Sequence, residues 1–277
     1  MITGQGKVIG LFGYPTASFK APMIYNPWFE AHGVDAVVVP LGIHPDDLSL
    51  LFRDLFRITA LHGALITMPH KMAVAGLVDE LTPIAQIAGA VNAVLRRSDG
   101  SLLGDMFDGT GFVHGMERKG QPIAGARALV VGAGGVGSAI AASLAAAGPA
   151  AITLFDVDAA AADALAERLR AHYPALAVQT GSCDPAGHDI VVNATPLGMK
   201  EGDRLPVDID RIDPDTFVGE VVMREEYTPL LREAQARGCA VQVGADMLFE
   251  MVPAYLKFFG FGHSTADELR ATARLEY

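Results

Sequence analysis

The chain has 277 residues and a mass of 29.1 kDa, which at roughly 150 residues per domain corresponds to two domains. Hydrophobic residues make up 51% and charged ones 19%, a globular balance that excludes disordered and collagen-like chains. The formal charge of −11 and a pI near 5.1 argue against a nucleic-acid binder, which needs a basic face, but leave room for a local pocket holding a small anion.

Short apolar runs at residues 7–11, 35–40 and 62–67 read as strands rich in Val, Ile and Leu. Residues 22–31 and 45–58 between them read as helices, the second opening with Pro45-Asp46-Asp47, which suits a helix N-terminus. This alternation predicts βαβ units and a mainly parallel sheet. Short helices at 69–78 and 83–88, a strand at 90–96 and a turn at 97–100 follow. A second alternating series starts near residue 126: strand 126–131, helix 135–147, strand 151–155 and helix 159–172. Strands at 175–179, 190–193 and 217–222, a helix at 229–237 and a strand at 240–243 complete it. The residues after Gly244 read as helices whose domain the pattern does not assign.

Residues 128–155 hold no charged side chain and are long enough to cross a bilayer. They are dominated by Ala and Gly, and the glycines at 132, 134, 135 and 137 interrupt any helix begun upstream, so a buried strand, turn and helix fit better. The N-terminus has no basic segment leading into an apolar core, so no signal peptide is expected. Cys183 and Cys239 are too few for a disulfide framework and lack metal-ligand spacing, so no metal and a reducing, cytoplasmic setting are expected.

Gly132-Ala133-Gly134-Gly135-Val136-Gly137 matches G-x-G-x-x-G, and it follows an apolar strand and opens an alanine-rich helix. Such glycines permit a tight turn, close approach of backbone to pyrophosphate, and helix–strand packing, while the helix N-terminus offers free N–H groups. Gly132, Gly134, Gly135, Val136 and Gly137 are therefore the expected cofactor-binding residues; the bland alternative is a small-residue turn that binds nothing. Asp156 ends the next strand, where a carboxylate can accept hydrogen bonds from ribose hydroxyls. A 2′-phosphate would be repelled by Asp156 and Asp158, and no Lys or Arg lies between Asp156 and Glu167, so NAD is expected over NADP. An arginine arriving from a distant loop would overturn that preference.

Several segments together resemble the shikimate/quinate dehydrogenase family. Gly63-Ala64-Leu65-Ile66-Thr67-Met68-Pro69-His70-Lys71 is similar to its G-x-x-V-T-x-P-x-K. Ile87-Ala88-Gly89-Ala90-Val91-Asn92 is similar to its I-G-A-V-N, and Asp108-Gly109-Thr110-Gly111-Phe112 to the D-G-x-G-F that closes N-T-D. Residues 193–199, Asn-Ala-Thr-Pro-Leu-Gly-Met, resemble N-A-T-P-x-G-M, and Thr228-Pro229-Leu230-Leu231 resembles T-P-L-L. The resemblance implies an α/β fold of two domains: an N-terminal substrate-binding domain (residues 1–105 with C-terminal helices 244–277 returning to it) and a Rossmann domain (106–243). Substrate and cofactor are expected to meet between them. It implies reversible hydride transfer between a cyclic secondary alcohol and NAD.

By position, Lys71 and Asp108 match the family's catalytic pair, Thr67 and Asn92 its substrate-hydroxyl contacts, and Asn193, Thr195, Pro196 and Gly219 its cofactor contacts. Lys71 would take the alcohol proton, or else stabilise the developing oxyanion as a cation while a water or Asp108 carries the proton. Without the resemblance, Lys71 reads as a solvated helix residue and Asp108 as a cap or turn. Asn92 in an apolar strand must satisfy its amide, on backbone or ligand. His70 reads as a packing or capping residue.

The chain departs from the family where two serines would bind the substrate carboxylate: those positions are Phe19 and Ala21. Met106 and Phe107 replace the N and T of N-T-D, Met223 a tyrosine and Met251 a glutamine. Losing several hydrogen bonds to a hydroxylated acid is expensive, so the expected substrate is less polar or bulkier than shikimate and need not carry a carboxylate. Thr16, Ser18 or Lys20 could rebuild an anion site; the bland alternative places these substitutions outside the pocket. A small-molecule substrate, no nucleic-acid or membrane partner and a homodimer are the expected partnerships. The competing function is an NAD-binding sensor that has lost turnover.

Overall fold

Residues 7–13 are extended in the computed structural model as strand β1 (Lys7–Gly13), whose last five residues are buried. Burial on both faces explains why this strand is apolar without alternation. It pairs in parallel with β2 (Ala36–Gly42) on one side and β3 (Leu61–Ile66) on the other. Helices α1 (Ala21–Ala31) and α2 (Leu48–Leu55) lie in the two connections. Phe52 of α2 and Phe56 just beyond it meet Phe12 of β1 edge-on, with ring centroids 6.3 and 6.2 Å away. The structure describes residues 2–17 and 19–274.

Helix α3 (Lys71–Ala75), strand β4 (Glu80–Leu81), helix α4 (Pro83–Ala88) and strands β5 (Ala93–Arg96) and β6 (Leu102–Asp105) complete the first sheet, in the order β2-β1-β3-β5-β6-β4. Strand β5 runs antiparallel to both β3 and β6, so the sheet is mixed. Its edges are β2, in which Pro40 removes one N–H, and the two-residue β4.

The second sheet is parallel throughout, in the order β12-β11-β10-β7-β8-β9. Helix α5 (Asp108–Arg118) leads into β7 (Arg127–Val131), α6 (Gly135–Ala146), β8 (Ala151–Phe155), α7 (Ala159–His172) and β9 (Ala177–Thr180). Then come β10 (Ile190–Asn193), β11 (Phe217–Glu220), α8 (Pro229–Ala236) and β12 (Val241–Gln242). The direction of winding reverses between β7 and β10, the crevice where such sheets bind ligands at their carboxyl ends. Helix α6 is buried without a break from Gly137 to Ala145, which accounts for the uncharged stretch 128–155 as interior. Among the described residues no helix is long and apolar enough to cross a membrane.

The last helices are α9 (Gly244–Phe258) and α10 (Ala266–Thr272). Past α9, the Phe259 ring fills space beside β3: a Cβ on Gly63 would lie 2.6 Å from it. The His62 ring meets the Phe259 carbonyl at 2.9 Å, and the Arg274 N–H donates to the Met23 carbonyl. The end of α9 and the residues that follow it thus belong with the first sheet's unit.

The chain divides into Met1–Phe107 with Val252–Tyr277, and Asp108–Met251. The expected boundaries at 105/106 and 243/244 move to 107/108 and 251/252. Met106 is wholly buried and Phe107 packs on Tyr255 and Phe258, so both residues belong with the first sheet. The second boundary falls inside the unbroken helix α9, where no sequence break marks it. Residues 45–58 form not one helix but a 3-10 turn (Pro45–Asp47) followed by α2. The strand expected at 90–96 begins only at Ala93, because the Val91 and Asn92 amides bond to Lys71 and Asp105 instead of β3. Strands β4 and β6 and helix α5 were not predicted.

Candidate active site

At the carboxyl end of the first sheet, the Thr67 N–H donates to the Phe12 carbonyl and the Thr67 carbonyl accepts from the His70 N–H. His70 is 1% exposed and its Nε2 lies 2.8 Å from the Ile43 carbonyl, tying the start of α3 to the end of β2. It is a structural histidine. Lys71 is the first residue of α3 and half-buried, and its carbonyl accepts the Val91 N–H at 2.8 Å. Asn92 is 1% exposed; its Oδ1 accepts the Phe107 N–H at 2.9 Å and its own N–H bonds to the Asp105 carbonyl. A backbone group thus claims the Asn92 oxygen, and the strand leading to Asp108 is held by it. Burial pushes the Asp105 carboxyl up, opposed by the Thr82 hydroxyl and the Met106 N–H.

Phe19 comes to the same end of the sheet. A Cβ on Gly13 would lie 2.4 Å from Thr67 Cγ2 and 2.7 Å from Phe19 Cζ, so the ring and the threonine converge over Gly13. Ala21 is the half-buried first residue of α1. Of the residues weighed for a replacement anion site, Thr16 and Lys20 are half-buried and Ser18 lies outside the described residues. Met106 and Phe107, by contrast, face interior packing rather than this group.

Asp108 opens α5 and is 3% exposed. The glycines after it are required by neighbours. A Cβ on Gly109 would lie 2.0 Å from the Ala139 carbonyl oxygen of α6, and one on Gly111 would lie 2.7 Å from Met251 Cβ of α9. Met251 is therefore placed against the helix that Asp108 begins.

In the glycine loop, Gly132 has φ 107°, and a Cβ on Gly137 would lie 1.9 Å from the Gly132 carbonyl oxygen. Those two glycines serve the fold. Gly134 differs: its φ is −68° and a Cβ there would meet nothing within 4 Å. Gly135 and Val136 form the first turn of α6. Asp156 accepts the Ala133 N–H at 2.6 Å on one oxygen and the Asp158 N–H at 2.9 Å on the other, which locks the carboxylate beside the loop. Asp158 caps α7 by accepting the Ala160 N–H. Beyond β8 a concavity of about 430 Å³ is lined by residues including Phe155, Cys183, Asp208 and Arg211. Asp184 holds Arg211, in the lining of this concavity, through two bonds of 2.7 Å. That arginine draws the Asp184 carboxyl down to about 2.

Sequence reasoning assigned Asn193, Thr195 and Gly219 to the cofactor; the structure gives each an internal task. Asn193 Oδ1 accepts from the Thr195 N–H and hydroxyl, and its Nδ2 donates to the Leu197 carbonyl. The Thr195 hydroxyl oxygen accepts the Leu197 N–H. Gly219 is buried, and a Cβ there would lie 2.5 Å from the Phe112 ring. Pro196 is exposed at the tip of this loop. Glu220, buried at this end of the sheet, was missed, and Thr228, also buried, was marked only as part of the T-P-L-L segment.

Residues 11–94 match the family described as shikimate dehydrogenase substrate binding domain, and residues 113–176, spanning β7 to α7, match the family described as ThiF. The shikimate dehydrogenase (NADP(+)) of Rhodospirillum rubrum is 37% identical over 279 residues, covering 98% of each chain. The chain belongs to the shikimate dehydrogenase family. Among solved structures of this family's fold, shikimate 5-dehydrogenase from Listeria monocytogenes, in complex with shikimate and NAD, is 28% identical with a TM-score of 0.90, covering 98% of this chain and 97% of that one. The 5-ketofructose reductase of Gluconobacter sp. strain CHM43 is 27% identical with a TM-score of 0.86, covering 98% of each.

A shikimate dehydrogenase-family chain is an oxidoreductase with a nicotinamide cofactor, and the glycine loop fits that group. Nothing in the protein requires glycine at 134, whereas a pyrophosphate approaching the backbone there would. Replacing Gly134 by Ala should change folding stability by no more than about 1 kcal/mol, as for a helix N-cap, while weakening dinucleotide binding. Replacing Gly137 by Ala should destabilise by about 3 kcal/mol, since backbone blocks the methyl. Urea unfolding paired with NADH titration separates the two effects.

Proposed function

We propose that this chain interconverts a cyclic secondary alcohol and its ketone with NAD in preference to NADP, and that its substrate is less polar than shikimate and needs no carboxylate. The observation that carries this reading is Phe19 converging with Thr67 over Gly13, where the family pattern has a carboxylate-binding serine. A phenyl ring in that place removes a hydroxyl donor and adds apolar surface. Tyr14, Met68 and Met72 extend the apolar character, being 50%, 72% and 67% exposed at the ends of β1 and β3 and on α3. Methionine adapts to varied apolar shapes. That the similar Gluconobacter enzyme is named for 5-ketofructose, which has no carboxylate, supports the reading.

Gly132, Gly134, Gly135, Val136 and Gly137 would hold the dinucleotide phosphates and Asp156 the adenosine ribose. When bound, the nicotinamide supplies the hydride acceptor or donor. Lys71 takes the proton from the alcohol oxygen or returns it to the ketone, Asp108 is the acidic member of the catalytic pair, and Thr67 offers its hydroxyl to the substrate. The curated relative is named for NADP, yet here Asp156 and Asp158 stand at the ribose end and Arg211 is neutralised by Asp184. These charges favour NAD.

A panel of cyclic alcohols, assayed with NAD and with NADP, tests the reaction. Turnover with NAD should fall by about 10²–10⁴-fold in Lys71→Ala, the span general acid–base catalysis supplies. No oxidation above that variant would leave a dinucleotide-binding protein without turnover. Asp156→Ala should weaken NAD much more than NADP; equal losses would remove the ribose role. The double variant Phe19→Ser/Ala21→Ser should raise kcat/KM for shikimate by about tenfold or more, the scale of a restored hydrogen bond to a charged group. An unchanged value would place those residues outside the substrate site.

A further inference from the structure

Two motifs of the second unit begin with buried polar side chains whose purpose the reaction does not explain. Asn193, 1% exposed, closes the loop 193–199 on itself through Thr195 and Leu197. Thr228, wholly buried, caps α8 by accepting the Leu231 N–H. Glu220 lies between them. It is the last residue of β11, directly opposite Asn193 in the parallel register, and is 1% exposed. Its Oε2 accepts a hydrogen bond from Asn193 Nδ2 at 3.3 Å, and its carboxyl also accepts one from the Thr228 side chain. Its Oε1 is buried without a hydrogen-bond partner among the described residues.

A buried carboxyl with an unsatisfied oxygen is costly for the fold. Its cost is explicable if the group holds something the enzyme needs held. The Asn193 amide has one nitrogen, and Leu197 and Glu220 share it, so the position of Glu220 sets the orientation of the amide. The amide in turn fixes the Thr195 N–H and hydroxyl, and the Thr195 hydroxyl receives the Leu197 N–H. On its far side the loop is pinned by Asp203, whose Oδ2 accepts the Gly198 and Lys200 N–H groups.

We infer that Glu220 is a positioning residue for the nicotinamide half of the cofactor, acting through Asn193 on the loop 193–199. The inference rests on the proposed function and on the family resemblance, which implies that residues 193–199 lie along the nicotinamide half of the cofactor. What matters is the reach and the acceptor oxygen of residue 220: Oε2 accepts from the Asn193 amide, a bond that a glutamine oxygen of the same reach also accepts. A neutral side chain of equal length should therefore serve, and a charged one shorter by a methylene should not.

Binding of NADH is compared with binding of ADP-ribose, which lacks the nicotinamide, in the full-length protein and in Glu220→Gln and Glu220→Asp, with thermal unfolding of each. Glu220→Asp should raise the Kd for NADH about tenfold, the value of roughly one hydrogen bond, and leave ADP-ribose within about twofold. Glu220→Gln should keep both ligands within about twofold of the unsubstituted protein. Equal weakening of both ligands by Glu220→Asp would mean a merely structural residue and overturn the inference, as would an unchanged NADH affinity or a Glu220→Gln protein as impaired as Glu220→Asp. If the unsubstituted protein bound neither NADH nor ADP-ribose, the cofactor reading itself would fall and this inference with it. If it bound both while Glu220→Asp changed nothing, only the inference would fall.

Discussion

The second unit depends on backbones approaching where no side chain can stand. Gly137 sits against the Gly132 carbonyl, Gly109 against the Ala139 carbonyl and Gly111 against Met247 and Met251. Each contact would be broken by a single methyl group, and protein interiors have little room to absorb one. These approaches seat α6 against the glycine loop, α5 against α6, and α9 against α5. Asp108 therefore starts a helix whose position is set by close-packed glycines against α6 and α9. Gly134 stands apart from this set, since no neighbour demands it. The loop thus holds two kinds of glycine, those that packing requires and one that it leaves open.

In the first unit, the sheet end that carries Thr67 and Lys71 is organised by backbone hydrogen bonds, by the His70 ring and by the Asn92 side chain, a network to which the Phe19 ring contributes no hydrogen bond. The positions of Lys71 and Asn92 are fixed by carbonyl and amide contacts to residues 91, 105 and 107. Residue 19 can therefore vary while the backbone contacts of Lys71 and Asn92 stay in place; the solved structures similar to this chain include both a shikimate 5-dehydrogenase and a 5-ketofructose reductase.

Strands 151–155 and 190–193 and helix 159–172 were legible to the residue, because apolar runs bounded by turn residues leave little choice. Helix α5 was not, because glycine at 109, 111 and 115 lowers helix propensity, and tertiary packing overrides it. Strand β6 is four residues long and β4 only two, too short to show a period. For the site, residue identity marked Lys71, Asp108, Asp156 and the glycine loop. It could not separate ligand contact from scaffolding: Asn193, Thr195 and Gly219 belong to motifs, and their side chains or space are claimed by the protein itself. Glu220 had no signal at all, since its meaning comes from the strand register that sets it opposite Asn193.

The margins of the two sheets carry a further consequence. One sheet ends on a proline-bearing strand and on a pair of residues; the other ends on the pair Val241–Gln242 and on the four-residue β9. An exposed strand recruits foreign chains in proportion to its run of unpaired donors and acceptors. Three of these edges are stubs that offer almost no template, and Pro40 interrupts the donors of the longer β2, so a chain that is half hydrophobic by composition keeps its interior strands from seeding fibrils.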